Sequence, residues 1–233
     1  MHWFYFSGEI KESIIEPDEE EQRHIRALRI REGEDVICTD GKGNVYHCKA
    51  ELGKKSTSFR ITHSEIKKEV GAKLTLAIAP TKNIDRLEWL IEKAVEVGVH
   101  EILLFKSEHS ERPIIKHERL VRVAIAAMKQ SQRAVLPHIT PLEEFQAILA
   151  HPCKHKYLAH CAEDADKKLL QNILPNSQDA LIAIGPEGDF SVNEIQMAKH
   201  NGMYAVSLGD ARLRTETAGL AAVFTFSLKN QKA

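Results

Sequence analysis

Over the first 70 residues the apolar positions fall in short runs and alternations rather than helical stripes. The segments "HWFYF", "EDVICTD", "NVYHCKAEL" and "SFRITHSEI" have the length and the aromatic and β-branched content of strands. "DGKGN", Asp40 to Asn44, is a hairpin turn between two of them. Several short strands with one intervening helix predict a small β-barrel over residues 1–70. After "KKEVGAK" the period lengthens. "LTLAIAP" is a buried strand closed by Pro80, and "DRLEWLIEKAVEV" sets Leu87, Leu90, Ile91, Ala94 and Val95 on one helical face, with Gly98 as its stop. "VHEILLF" is the next strand, and "RLVRVAIAAMKQSQR" carries a second stripe of Leu120, Val123, Ala124, Ala127 and Met128. Pro137 and Pro141 bracket a short segment ahead of a predicted helix "LEEFQAILA". There follow "HKYLAHC", a short helix, "ALIAI", a helix opened by the Ser191/Glu194 capping-box spacing, "MYAVSL", and a last helix from about Thr215. Strand–helix alternation of this kind predicts an α/β domain over residues 71–233, a mostly parallel sheet with helices on both faces.

Composition narrows the class only a little. Hydrophobic residues make up 43% and charged residues 28%, as in ordinary globular chains. No apolar run approaches the roughly 20 residues needed to cross a bilayer. "MHWFYFSGEIKES" has neither a basic leader nor a long apolar core, so no signal peptide is expected and the cytoplasm is the expected compartment. Cys38, Cys48, Cys153 and Cys161 contain no CxxC pair, which favours reduced thiols. With a formal net charge of −1 the chain is no polycation, so any nucleic-acid binding must rest on a local basic face. Arg23, Arg26 and Arg29 at i+3 spacing, with Arg31 and Lys42 nearby, offer such a stripe for phosphates; intrahelical pairing, as between Glu19 and Arg23, is the competing reading.

The candidate chemistry sits where strands end. In "LIAIGPEGDFSVNEI" an apolar strand stops at Gly185-Pro186-Glu187-Gly188 and restarts as a capped helix. "YAVSLGDARLRTETAGLAAVF" repeats the plan, and "KYLAHC" runs into "AEDAD". Ligands of open parallel sheets collect outside the carboxyl ends of strands. Neither Gly-marked loop fits GxxxxGK[ST] or GxGxxG, which disfavours a nucleoside triphosphate or NAD and leaves a small ligand held largely by backbone. His151, Cys153 and His155, with His160 and Cys161 behind them, form an alternative zinc set. Pro152 and the run-on into a buried strand argue against a compact cage, so no metal is expected.

Taken together, "IGPEGDFSVNE", "LGDARLRTETA", "AAMKQSQRAVLP", "RLEWLIEKAVEVGV" followed by "FKSEHSER", and "HIRALRIREGEDV" with "DGKG" resemble the ribosomal RNA small-subunit methyltransferase E family of knotted SPOUT enzymes. The resemblance implies an RNA-binding PUA-like barrel over residues 1–70 and a SPOUT-like domain over residues 71–233 with a deep C-terminal trefoil knot. It implies a homodimer that methylates N3 of one uridine in 16S rRNA of the small ribosomal subunit. S-adenosylmethionine would be held by His160 and Cys161, by Ile184, Gly185, Pro186, Glu187 and Gly188, and by Leu208, Gly209, Leu213 and Arg214. On chemical grounds Arg214 and Arg133 are then candidates to stabilise charge on the uracil oxygens or to hold a phosphate, and Glu216 to accept the N3 proton. Arg23, Arg26, Arg29, Arg31, Gln130 and Arg133 are the candidate RNA contacts. Arg214 could instead brace its loop against Glu216 or Glu187. A non-catalytic ribosome-docking module, or the same chemistry on tRNA or large-subunit RNA, are the rival functions. Three positions depart from the family pattern: Asp189 replaces a second glycine, Ala211 with Arg212 replaces an arginine, and Lys129 replaces a glutamate before Gln130.

Overall fold

The hairpin at Asp40–Asn44 forms as its residues dictate. Gly41 and Gly43 take the left-handed backbone (φ 70° and 98°), and the Asp40 carboxylate accepts the Lys42 N–H at 2.8 Å. The computed structural model describes residues 1–112 and 114–230, and the chain divides into two compact units.

The first unit comprises Met1–Val70 together with Ile125–Leu136. Its strands are β1 (His2–Tyr5), β2 (Ile14–Ile15), β3 (Asp35–Thr39), β4 (Asn44–Leu52) and β5 (Thr57–Ile66), with helix α1 (Glu19–Leu28) between β2 and β3. They form one mixed sheet in the order β1-β3-β4-β5-β2, in which only β1 and β3 run parallel. Phe4, Ile15, Ile25, Val36 and Phe59 fill its core. Asp18 caps α1 by accepting the Glu21 N–H at 2.8 Å, and the helix ends at Arg29, which is left-handed at φ 55°. Arg29 is therefore the cap of α1, one residue past its last helical position. Residues 125–136, which a division at residue 70 assigns to the later domain, complete this unit. The Ala134 carbonyl accepts from the Thr39 hydroxyl and from the Gly43 N–H, both at 3.0 Å.

The second unit carries β6 (Leu74–Ile78), α2 (Ile84–Val97), β7 (Glu101–Lys106), the first turns of α3 (His117–Gln130), β8 (His138–Ile139), β9 (Glu143–Glu144) and α4 (Gln146–Ala150). β10 (His155–Ala159), β11 (Lys168–Leu169), α5 (Leu170–Ile173), β12 (Ala180–Ile184), α6 (Val192–His200), β13 (Tyr204–Ser207) and α7 (Thr215–Asn230) follow. The sheet is parallel, in the order β11-β13-β10-β12-β6-β7-β8, with β9 paired to β7. Its central strands are buried at every position because both faces are covered, and all their residues but Thr75 are apolar. Ala77, Leu158 and Ala183 point to the side of α4 and α6, where Phe145, Ile148 and Ala198 meet them. Ile78 points the other way, to Leu90 of α2 and Gly219 of α7. The expected helix "LEEFQAILA" is shorter than its pattern: Glu143 and Glu144 pair in parallel with Phe105 and Lys106, and the helix starts at Gln146. The two-residue strands β2, β8 and β11 carry no periodic signal at all.

Candidate functional site

Strands β13, β10 and β12 are neighbours, with β10 in the middle, so the three loops leaving their carboxyl ends converge. They enclose two adjoining cavities. The larger, ≈ 580 Å³, is lined by His160, Cys161 and Lys167 from the β10 loop and by Leu208, Gly209 and Leu213 from the β13 loop. The smaller, ≈ 260 Å³, adds Ile184, Gly185, Pro186 and Glu187 from the β12 loop, with Arg214 and Thr215. Cys161, Arg212 and Leu213 line both. The sequence-derived cofactor residues thus come together, with the exception of Gly188, which lines neither cavity.

The glycines have a reason that the sequence did not disclose. A Cβ on Gly185 would lie 3.1 Å from the Phe190 ring, and one on Gly188 3.0 Å from the His109 Cβ. Their missing side chains make room for the protein's own packing, whatever else approaches them. Several segments then fix this loop. The Thr215 hydroxyl donates to the Gly185 carbonyl at 3.2 Å, and the Glu187 carboxylate accepts the Lys82 N–H at 3.0 Å. The Ser191/Glu194 capping box forms, and Glu194 also accepts from the Ser107 hydroxyl and the Glu108 N–H.

His160 is buried, and neither ring nitrogen has a hydrogen-bond partner; Nε2 lies 3.5 Å from Asp164 Oδ2, itself held by Lys199 at 2.6 Å. Burial pushes the imidazole pKa below its ordinary value and nearby Lys167 adds to the effect, so the ring is neutral at pH 7. Arg212 and Arg214 are exposed, and among the described residues neither has an ion-pair partner. Bracing of Arg214 by Glu216 or Glu187 does not occur: Glu187 serves Lys82, and Glu216 faces Arg86 of α2, Oε1 to Nε 3.7 Å. Glu216 is buried, keeps Oε2 unpartnered, and lines neither cavity. Lys167, Arg212, Thr215 and Asp189 are pocket residues that the sequence reading did not assign. Of these only Asp189 and Arg212 carried a signal, as departures from the family pattern.

In the first unit Arg23, Arg26, Arg29 and Arg31 are exposed, and no carboxylate pairs with their guanidinium groups among the described residues. The Glu19–Arg23 pair does not form. Arg133 pairs with Glu69. Gln130 is exposed on the rim of a ≈ 520 Å³ cavity that also includes Trp3, His24 and Lys129. The alternative zinc ligands disperse: His151 Nε2 lies 3.1 Å from Glu101, and His155 Nε2 lies 2.6 Å from the Gln178 amide oxygen. No group of three or more metal-ligating side chains, and no helix long and apolar enough to cross a membrane, is found among the described residues.

A parallel α/β domain with this strand-end pocket, matched over residues 68–227 by the RNA methyltransferase domain family and over residues 17–62 by the RNA methyltransferase PUA domain, defines a two-part protein of the RNA methyltransferase class. The "Ribosomal RNA small subunit methyltransferase E" of Aquifex aeolicus is 30% identical over 233 residues, 96% of this chain and 97% of that one. The crystal structure of a probable rRNA-methyltransferase from Porphyromonas gingivalis is 37% identical with a TM-score of 0.88, covering 98% of this chain and 99% of the other. That of a ribosomal RNA small subunit methyltransferase E from Neisseria gonorrhoeae, bound to S-adenosyl methionine, is 27% identical with a TM-score of 0.85, covering 98% and 97%. The chain belongs to the ribosomal RNA small subunit methyltransferase E family.

Proposed function

We propose that this protein transfers a methyl group from S-adenosylmethionine to N3 of a single uridine in 16S rRNA, acting in the cytoplasm as a homodimer with a trefoil-knotted C-terminal domain. One observation carries the reading: three strand-end loops converge on a pocket that holds a buried neutral His160 with both ring nitrogens unbonded. The backbone-rich, partly apolar walls of that pocket suit the base of a nucleoside. The pocket residues therefore fit the cofactor, and the Neisseria gonorrhoeae relative was crystallised with it. The knot rests on the family resemblance; α7, returning to pack on α2, β6 and β12, is in keeping with it.

Bound here, S-adenosylmethionine would supply an electrophilic methyl on a sulfonium, and the chain's own task is positioning and charge. His160, Cys161, Leu208 and Gly209 would hold the nucleoside part, and Ile184 to Glu187 with Leu213 the remainder. Methylation at N3 requires loss of the N3 proton, which leaves negative charge on the uracil oxygens. Arg214, exposed at the pocket edge with no carboxylate to neutralise it, is assigned to that charge. Glu216, oriented by Arg86, and Arg133, engaged by Glu69, remain the proposed proton acceptor and second cation, each needing release from its present partner. Unpaired Arg23, Arg26 and Arg31 are the proposed phosphate contacts of the first unit.

The test is to incubate the protein with methyl-labelled cofactor and small ribosomal subunits from cells lacking this enzyme, then digest the RNA and identify the labelled nucleoside. Label in 3-methyluridine is the expected result. Label in another nucleoside, or only in tRNA or large-subunit RNA, overturns the target. Cofactor binding absent altogether favours the docking module.

A further inference from the structure

Asp189 ends the loop that follows β12, two residues before the α6 cap Ser191, and its backbone is left-handed at φ 63°. Asp, Asn and Gly enter this region more readily than other residues. The side chain makes two short bonds: Oδ1 accepts the N–H of Phe190 at 2.8 Å, and Oδ2 accepts the N–H of Cys161 at 2.7 Å. The second crosses between loops. The β10–β12 ladder ends at the pair Ala159–Ile184, so beyond it no strand pairing holds the two segments together. Cys161, the second residue past that point on the β10 side, lines both cavities where they meet.

Each end of the bridge is anchored elsewhere. His109 Nδ1 lies 3.1 Å from the Gly188 carbonyl and 3.0 Å from that of Asp189, which fixes the peptide carrying the carboxylate. On the other side the Lys167 ammonium donates to the carbonyls of His160 and Ala162, at 3.3 and 2.8 Å, leaving the Cys161 N–H between them for Asp189. No Lys or Arg pairs with Asp189 among the described residues, so its carboxylate serves backbone alone.

We infer that Asp189 is a positioning residue: a side-chain latch that ties the segments after β10 and β12 together past the end of their ladder and so sets the shape of the pocket at Cys161. Its consequence for ligand affinity rests on the cofactor reading proposed above; the latch itself does not.

Three variants of the full chain separate the possible causes. Asp189→Gly removes the latch and relieves the backbone. Asp189→Ala removes it and strains the left-handed conformation. Asp189→Asn keeps an acceptor oxygen and a residue that tolerates φ 63°. Amide hydrogen exchange at Cys161 reads the latch, and calorimetric affinity for S-adenosylmethionine reads its effect. Exchange at Cys161 should accelerate about tenfold in both the Gly and Ala variants, the scale of one charge-assisted hydrogen bond, and return most of the way in the Asn variant. The cofactor Kd should rise about five- to tenfold for Gly, in parallel with KM and with kcat little changed, and less for Asn. Unchanged exchange and unchanged Kd in the Gly variant overturn the inference, as does an effect confined to Ala, which would place the cause in backbone strain. Should the unmutated protein show no affinity for the cofactor, the cofactor reading falls, and the exchange comparison still decides the latch.

Discussion

Glu21 and Lys129 show how one departure from a family pattern is accommodated. Glu21 is buried on α1, and the Lys129 ammonium, itself largely covered, pairs with its carboxylate, while His24 Nδ1 stands 3.4 Å away. Removing the cation alone leaves a carboxylate out of water without its counter-charge. Lys129→Ala should therefore destabilise the protein by about 3 kcal/mol in urea unfolding, and the double variant Lys129→Met/Glu21→Leu should recover most of that loss. A loss below about 1 kcal/mol would mean that water already screens the pair. His160 makes a second prediction. Its folded pKa lies below the ordinary 6.5, so just under that pH the unfolded chain binds a proton which the folded chain refuses. The contribution is present in full above pH 6.5 and is lost as the pH falls below it. Between pH 7 and 5.5 the stability of His160→Gln should decline less steeply than that of the unmutated protein; parallel curves would refute the assignment.

At the scale of elements, α7 approaches α2 closely at Gly219. A Cβ on Gly219 would stand 2.9 Å from Leu90 Cδ2 and 3.4 Å from Ile78 Cδ1, and both partners are wholly buried. Gly219→Val should cost about 2–3 kcal/mol by overpacking, against which the better helix propensity of Val over Gly is a small offset. Circular-dichroism melts or denaturant titrations would measure it. The same elements show what the sequence made legible. Leu87, Leu90, Ile91, Ala94 and Val95 are the buried face of α2 as their spacing dictates, and Ser191 with Glu194 caps α6 as read. Short pairings such as Glu143 with Phe105 were illegible because a two-residue strand has no period and is defined by its distant partner. The site was legible as loops at strand ends, since β12 and β13 stop at marked glycines. Its bracing was not: Lys82 and His109 reach it from segments whose sequences look like ordinary polar turns, and Arg86 faces Glu216 from the first turn of α2.

For the whole molecule, a net charge of −1 hides an uneven surface, since the unpaired arginines of α1 and the turn after it belong to one unit. If that face meets RNA, Arg23→Ala with Arg26→Ala should weaken affinity across sequences and lower the log–log salt slope by about 1.5, from roughly 0.7–0.9 per phosphate contact. An unchanged slope would assign these residues to solvent. The composition of that unit also bears on how the protein is made. Its sheet is encoded by Val70, yet the partner of Glu21 and the carbonyl that receives Thr39 and Gly43 come from residues 125–136. During synthesis at roughly 5–20 residues per second, the nascent amino-terminal sheet must wait several seconds outside the exit tunnel with a buried-type carboxylate uncompensated and the Thr39 hydroxyl and Gly43 N–H open. A gene truncated after Val70 would freeze the chain in that waiting state, and chaperone dependence should end only when Leu136 has emerged.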